Sequence, residues 1–277
     1  MSSAGLPRPS GSHLVLIASY NSGRKAVETV RDARERWNPV WVVVDGSDDG
    51  STQPLVELAQ RDPGVRVTVL PRNRGKGAAL LHGLREAARA GFTHALTMDS
   101  DGQHPAGLIP EFMAASQRAP GAVVLGDPVF DATAPRERVL GRKISNWWAG
   151  LETLWAGVND SLFGFRVYPV APLLRIMERT RWMRRFDFDC EAAVRLAWLG
   201  VPLINIRVPV RYFRPEQGGV SHFRYFRDNA WLTWMHTRLV VEFVVRLPVL
   251  ISRRLRGTRS GGDGKTDLDY PDDERAA

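Results

Sequence analysis

The stretch His94-Ala95-Leu96-Thr97-Met98-Asp99-Ser100-Asp101-Gly102-Gln103-His104-Pro105 decides how this chain is read. It begins as an apolar run of strand length and stops in a turn with two carboxylates one residue apart. Earlier stretches share the design. Leu14 to Ile17 leads into Ser19-Tyr20-Asn21-Ser22-Gly23, and Val40 to Val44 stops at Asp45-Gly46-Ser47-Asp48-Asp49-Gly50-Ser51. Val65 to Leu70 is followed by Asn73-Arg74-Gly75-Lys76-Gly77. Helical patterns lie between these runs, one reaching about Arg36, one after Ser51 and one from Ala78 to Ala90. Uniformly apolar strands separated by helices predict an α/β fold: a mostly parallel, twisted sheet with helices on both faces. Such sheets bind ligands outside the carboxyl ends of their strands. The turns at Tyr20-Asn21, Asp45 and Asp99 are therefore expected to meet in one crevice.

The second half is less regular. Val123 to Gly126 reads as a strand, Arg136 to Ala156 as a helix with paired Trp147-Trp148, and Asp160 to Tyr168 as a loop and strand. A helix from Cys190 to Leu199 and a strand from Pro202 to Val210 follow. From Phe226 to about residue 252 runs a long helical pattern, with Arg238, Glu242 and Arg246 four apart in a thin polar stripe. Trp231, Trp234 and Phe243, with Arg227, Arg253, Arg254 and Arg256 at its ends, suit the plane of a membrane interface. A core or dimer helix is the competing reading. The expected organisation is a flexible stretch over 1–12, one catalytic domain over 13–225, an amphipathic helix over 226–252 and a disordered acidic tail over 253–277.

Charge and composition narrow the partners. The net charge is +8, and the last 21 residues carry three basic and six acidic groups, a tail of −3 that leaves +11 on residues 1–256. Such an excess suits an anionic partner. A nucleic-acid-binding protein is one rival class, but the basic residues are not clustered with stacking aromatics and no recognised binding motif is present. The single Cys190 excludes an intrachain disulfide and a cysteine-based zinc site, which favours a reducing compartment. The polar start has no apolar leader pattern, and no stretch reaches the roughly 20 apolar residues of a spanning helix. The expectation is a cytoplasmic protein, peripheral at the inner face of the cell membrane.

The chemistry begins at Asp99-Ser100-Asp101. Carboxylates so spaced at a strand end can address one hard cation beside diphosphate oxygens. Gly75 and Gly77 permit close backbone approach, with Arg74 or Lys76 near phosphate, although the spacing is not that of a P-loop.

On these residues the chain resembles the family 2 glycosyltransferases, and within them the branch of dolichyl- and polyprenyl-phosphate sugar synthases. The family pattern runs P-x-Y-N, D-D-G-S-x-D-G-T, N-x-G-K-G-x-A-L and D-x-D-x-Q-H-P. Here it stands as Ala18-Ser19-Tyr20-Asn21, Val44 to Ser51, Asn73 to Leu80 and Asp99 to Pro105. Ser19 replaces the proline and Val44 the first aspartate, which leaves Asp45 as the base-recognising carboxylate.

The resemblance implies a GT-A-type fold and transfer of a hexose from a nucleoside-diphosphate sugar. Ser19, Tyr20, Asn21 and Asp45 would hold the nucleoside, with Lys76, Asp99 and Ser100 at the diphosphate. Asp99, Asp101 and Gln103 would hold Mg²⁺ or Mn²⁺. Asp160 to Arg166 resembles the acceptor-side D-x-x-x-G-F-R segment, and Phe188-Asp189-Cys190-Glu191 the F-D-x-E segment. A hydroxyl acceptor would need Asp189 or Glu191 as base. A polyprenyl phosphate, the expected acceptor, needs cations instead. Arg142 and Lys143, Arg166, and Arg207, Arg211 and Arg214 before Ser221-His222-Phe223 could supply them. Transfer to a hydroxyl of another lipid, pigment or glycan is the alternative, and a non-catalytic scaffold the rival of a different class.

Overall fold

The computed structural model describes the backbone of residues 6–130, 136–210 and 225–260. The first half alternates as expected: β1 (His13–Ser19), α1 (Gly23–Arg36), β2 (Val40–Asp45), α2 (Thr52–Arg61), β3 (Val65–Leu70), α3 (Lys76–Arg89) and β4 (His94–Asp99). Then come α4 (Ile109–Arg118), β5 (Val123–Phe130), α5 (Arg136–Glu152), β6 (Arg166–Pro169), α6 (Val170–Arg179), α7 (Phe188–Trp198), β7 (Leu203–Val210) and α8 (Tyr225–Ser260). The seven strands form one sheet in the order β3-β2-β1-β4-β6-β5-β7. Every pairing is parallel except those of β6, which runs antiparallel between β4 and β5.

Register positions the site. Ser19 lies opposite Val44 and Ala18 opposite Asp99, so β1, β2 and β4 end level with one another. The chain leaves β1 towards β2 and β3, then returns to β4 on the other side. That reversal makes the β1–β4 boundary the switch point where such sheets bind ligands. One apolar layer, with Val15, Ile17, Val42, Leu96 and Phe112, fills one face of the sheet. Leu14, Leu16, Val43, Leu80 and Leu84 fill the other. Fully burying a side chain of this size contributes about 1.5–3 kcal/mol, which anchors strands whose ends carry polar turns.

The second half departs from the sequence reading in detail. β5 continues to Phe130, and α5 stops at Glu152 rather than Ala156. Leu154 and Trp155 there take left-handed φ values of 55° and 54°, and Trp155 N–H bonds back to Gly150 O at 2.7 Å. α4 and α6 have no counterpart in the reading. α8 runs past Ile251, carrying Arg253 and Arg254 onto the carbonyls of Trp198 and Leu154. Residues 253–260, assigned by composition to a tail, thus continue the helix.

α8 carries two apolar faces. Met235, Leu239 and Phe243 pack with Ala149, Cys190, Val194 and Trp198 in a third cluster. At 3.6 residues per turn, Trp234, Val241, Val245 and Leu255 fall on the opposite half, and all are exposed. The polar stripe is ion-paired along its length. Arg238 pairs with Glu191, and Glu242 with Arg195 and Arg246.

Candidate active site

The turn after β4 is built around its own carboxylates. Asp101 Oδ1 accepts the backbone N–H of Gln103 at 2.9 Å, closing a short side-chain turn. His104 Nδ1 accepts the Asp99 N–H at 2.9 Å, which leaves the ring proton on Nε2. The ring is buried against Phe163 and Phe165, and burial lowers its pKa to about 4, so it is neutral.

Two distant elements reach this turn. Lys76, the first residue of α3, places Nζ 2.6 Å from Asp99 Oδ1 and 2.7 Å from Asp189 Oδ2. Gly164 makes room for that contact, because a Cβ there would meet Lys76 Nζ at 2.5 Å and Asp189 Oδ1 at 3.2 Å. Burial works against the charge of Asp99, but the Lys76 ammonium outweighs it and holds the carboxyl below its usual range. Asp101 goes the other way. Burial, with the charge of Asp99 adding to it, pushes its pKa up to about 6. Asp189 Oδ1 is buried without a hydrogen-bond partner.

Four turns hold one another at the rim. Asn21, with φ 46°, donates from Nδ2 to Asp48 Oδ1 at 2.7 Å and accepts the Asp48 N–H at 3.0 Å. Ser22 Oγ meets Ser100 Oγ at 2.7 Å. Asp45 accepts the N–H groups of Arg74 and Gly75, the latter at 2.7 Å. Gly75 takes φ 99°, and a Cβ on it would meet Arg184 O at 2.5 Å.

This geometry revises several expected roles. Asp45 is only 2% exposed and accepts the backbone N–H groups of Arg74 and Gly75, so it fixes the turn that carries Lys76. Its own pKa is raised by burial. Ser19 and Ser100 are buried as well, which leaves Tyr20 and Asn21 at the rim. Lys76 is engaged by carboxylates. Among the described residues no three His, Cys, Asp or Glu side chains converge as a metal cage.

On the acceptor side, Arg166 and Glu191 are corrected. Arg166 is fully buried, and its guanidinium donates to Phe163 O, Tyr168 Oη, Asp160 O and Asp189 O. It is a post that holds the site, with four of its five donors spent on these oxygens. Glu191 is also fully buried and ion-paired with Arg195 and Arg238 at 2.7 and 3.0 Å, turned towards α8. It cannot serve as a base in the crevice, whereas Asp189 lies in it. Arg142 is partly exposed and ion-paired with Asp160 at 2.5 Å, and Lys143 is exposed. Arg211, Arg214, Ser221, His222 and Phe223 lie outside the described residues.

Sequence reasoning missed the segment from Arg181 to Asp187. The Gly77 and Ala78 N–H groups donate to the carbonyls of Arg185 and Arg184, so this segment sits on the start of α3. A cavity of about 160 Å³ opens beside it, lined by Arg181, Trp182, Arg185, Phe186 and Trp231 among others. The signal was the density of arginine and aromatic residues in Arg181-Trp182-Met183-Arg184-Arg185-Phe186.

The family model described as glycosyl transferase family 2 matches residues 14–182. The chain is 30% identical over 218 residues to polyprenol monophosphomannose synthase of Mycolicibacterium smegmatis, covering 76% of this chain and 81% of that one. It is 24% identical over 196 residues to UDP-N-acetylglucosamine–dolichyl-phosphate N-acetylglucosaminyltransferase of Methanococcus voltae, covering 65% and 78%. Among solved structures it is similar to glucosyl-3-phosphoglycerate synthase of Mycobacterium tuberculosis in complex with Mn²⁺, UDP-glucose and phosphoglyceric acid. The TM-score is 0.59 at 15% identity, covering 85% of this chain and 79% of that one. At that identity the likeness speaks for the fold alone, which is GT-A.

Proposed function

The chain belongs to glycosyl transferase family 2 and is a glycosyltransferase, and from that premise we propose that it moves a hexose from a nucleoside-diphosphate sugar to a polyprenyl phosphate at the cytoplasmic membrane face. The observation that carries this reading is the charge of the crevice. Asp99 and Asp189 share one ammonium, Lys76, while Asp101, beside Asp99 and with its pKa raised to about 6, has no such partner and His104 is neutral. Two carboxylates one residue apart, one of them raised by burial and by the charge of the other, suit a divalent cation. Asp99 and Asp101, with Gln103 beside them, would hold Mg²⁺ or Mn²⁺. The bound ion would neutralise charge on the departing nucleoside diphosphate.

The chain's own residues do the rest. Lys76 orients Asp99 and Asp189, and buried His104 fixes the β4 turn while keeping water from behind it. Tyr20 and Asn21 edge the nucleoside side, and Arg142 and Lys143 face an anionic acceptor. A phosphate oxygen is already ionised near neutral pH, so this acceptor needs cations rather than a base. The names of the two curated relatives, with their polyprenol and dolichyl-phosphate acceptors, support the same class. The exposed apolar half of α8, with Leu140, Ile144 and Trp147 exposed on α5, supports a membrane surface as its neighbour. Among the described residues no helix is long and apolar enough to cross a membrane.

A second reading has one observation behind it. Asp189 Oδ1, buried and unpartnered, could take the proton of a hydroxyl acceptor. One experiment decides between them. UDP- and GDP-sugars are offered with polyprenyl phosphate or polyprenol, in Mn²⁺ or in EDTA, with Asp101→Ala as control. The proposal expects Mn²⁺-dependent transfer to the phosphate only, lost in Asp101→Ala. Transfer to polyprenol, or full turnover in EDTA, would overturn it.

A further inference from the structure

Away from the crevice, α5 and α8 meet over a buried polar cluster that the reaction above does not use. Glu152 is fully buried, with Oε1 2.8 Å from His236 Nδ1 and Oε2 without a partner. His236 Nε2 lies 3.0 Å from Ser145 Oγ, which lies 3.1 Å from Ser161 Oγ. The Ser161 hydroxyl and its backbone N–H both donate to Asn146 Oδ1 at 2.8 Å. Asn146 Nδ2 donates to Asp160 Oδ2 at 3.2 Å, and Asp160 Oδ1 accepts Arg142 Nη1 at 2.5 Å.

Donor and acceptor rules fix the direction of this chain. Asn146 cannot be flipped, because its amide nitrogen would then face the Ser161 N–H. Ser161 therefore donates to Asn146 and must accept from Ser145. Ser145, having donated, must accept from His236 Nε2. His236 Nδ1 faces a carboxylate, so both ring nitrogens donate and the ring is an imidazolium. Burial opposes that charge, but the hydrogen bonds of Cys190 and Glu152 raise its pKa to about 10. All donors then point from His236 on α8 towards Asp160, where Arg142 closes the chain from the other side. Arg142 ends the chain, its side chain 19% exposed and its guanidinium over the Phe130 ring at 5.2 Å.

We propose that His236 is a positioning residue for Arg142, so that the seating of α8 on α5 sets the orientation of the guanidinium that faces the acceptor. The link to the acceptor rests on the function proposed above. The link between His236 and Arg142 does not.

The test therefore has two arms on the full chain. In denaturant unfolding, His236→Gln and Arg142→Ala are measured singly and together. The two residues are not bonded to one another, so uncoupled sites would give additive midpoint shifts. The proposal expects the double variant to lose less than the sum, and additivity would overturn it. Should His236→Gln fail to fold, Ser145→Ala takes its place in the same cycle, since it keeps the His236–Glu152 pair. In the kinetic arm, Ser145→Ala should raise the KM for polyprenyl phosphate roughly threefold to tenfold, the worth of one buried hydrogen bond. The donor KM should stay unchanged, and Ser145→Thr should restore the acceptor value. A purely structural role would leave that split unmoved and would overturn the proposal. If the unaltered protein transfers sugar to no lipid phosphate, the acceptor reading fails, and the unfolding cycle still decides this one.

Discussion

Lys76 Nζ stands 2.7 Å from Asp189 Oδ2, joining the first residue of α3 to the first turn of α7 across 113 positions of sequence. The same ammonium reaches Asp99 at 2.6 Å, so one cation ties the parallel half of the sheet to the helices that follow it.

Asp101 gives the site a definite pH response. Its folded-state pKa is raised to about 6, above the ordinary carboxylate value, so the folded protein binds this proton more tightly than the unfolded chain does. Its contribution to stability is present below the ordinary value and is lost as pH rises through 6. It is worth at most about 2–3 kcal/mol at 1.36 kcal/mol per unit. Asp99, held below its usual range, acts with the opposite sign at lower pH. Mn²⁺ binding should weaken about tenfold per pH unit below 6, as protons compete for Asp101. Calorimetry at pH 5, 6 and 7 checks this, and a flat profile would remove Asp101 from the ion's ligands.

Gly164→Ala should separate positioning from folding. The added Cβ would meet the far end of Lys76, which can swing away, so the unfolding temperature should change little. The displaced ammonium would no longer hold Asp99 and Asp189 together, and turnover should fall roughly 10²-fold. Wild-type turnover in this variant would mean that the Lys76 contact is incidental.

Arg166→Met should act on the fold. The guanidinium bonds four buried oxygens, three of them backbone carbonyls, and an apolar replacement strands them. A loss of about 3–5 kcal/mol is expected in urea unfolding. A loss under 1 kcal/mol would show that water replaces the arginine without cost.

Val245→Glu tests the outer face of α8. Val245 is 77% exposed, so stability should move by no more than about 0.5 kcal/mol. Co-sedimentation with anionic vesicles should be lost. Cutting the chain before α8 would be a poor test, because Met235, Leu239 and Phe243 belong to the core. Undiminished sedimentation would leave the exposed valines without a membrane role.

The first half of the fold was legible because each strand is an apolar run closed by a polar turn, and the parallel register follows from helices between them. The second half was not. Nothing local in Arg166-Val167-Tyr168-Pro169 announces an antiparallel strand, since its place depends on the gap between β4 and β5. The site shows the same division. The Asp99 turn was legible as a strand end, but its contact with Lys76 and through it with Asp189 was not, because sequence does not say which way a side chain points. Asp189 and Glu191 are two apart on α7, and residues so spaced on a helix do not share a face. Only one of them could reach the crevice. Asp45 and Arg166 make a related point: a polar group at a site can serve the backbone of that site.

The contacts among the rim turns have a consequence for how this site can change. Asn21 is tied to Asp48, Ser22 to Ser100, Asp45 to Gly75 and Lys76 to Asp99, so the rim is a closed bracelet rather than a set of separate loops. A substitution in one turn is felt in turns 27 to 78 positions away. Effects of substitutions there will not add, and single exchanges will tend to damage binding of every donor alike. A change of preference from one donor to another is more readily reached from side chains outside the bracelet, whose loss loosens nothing else.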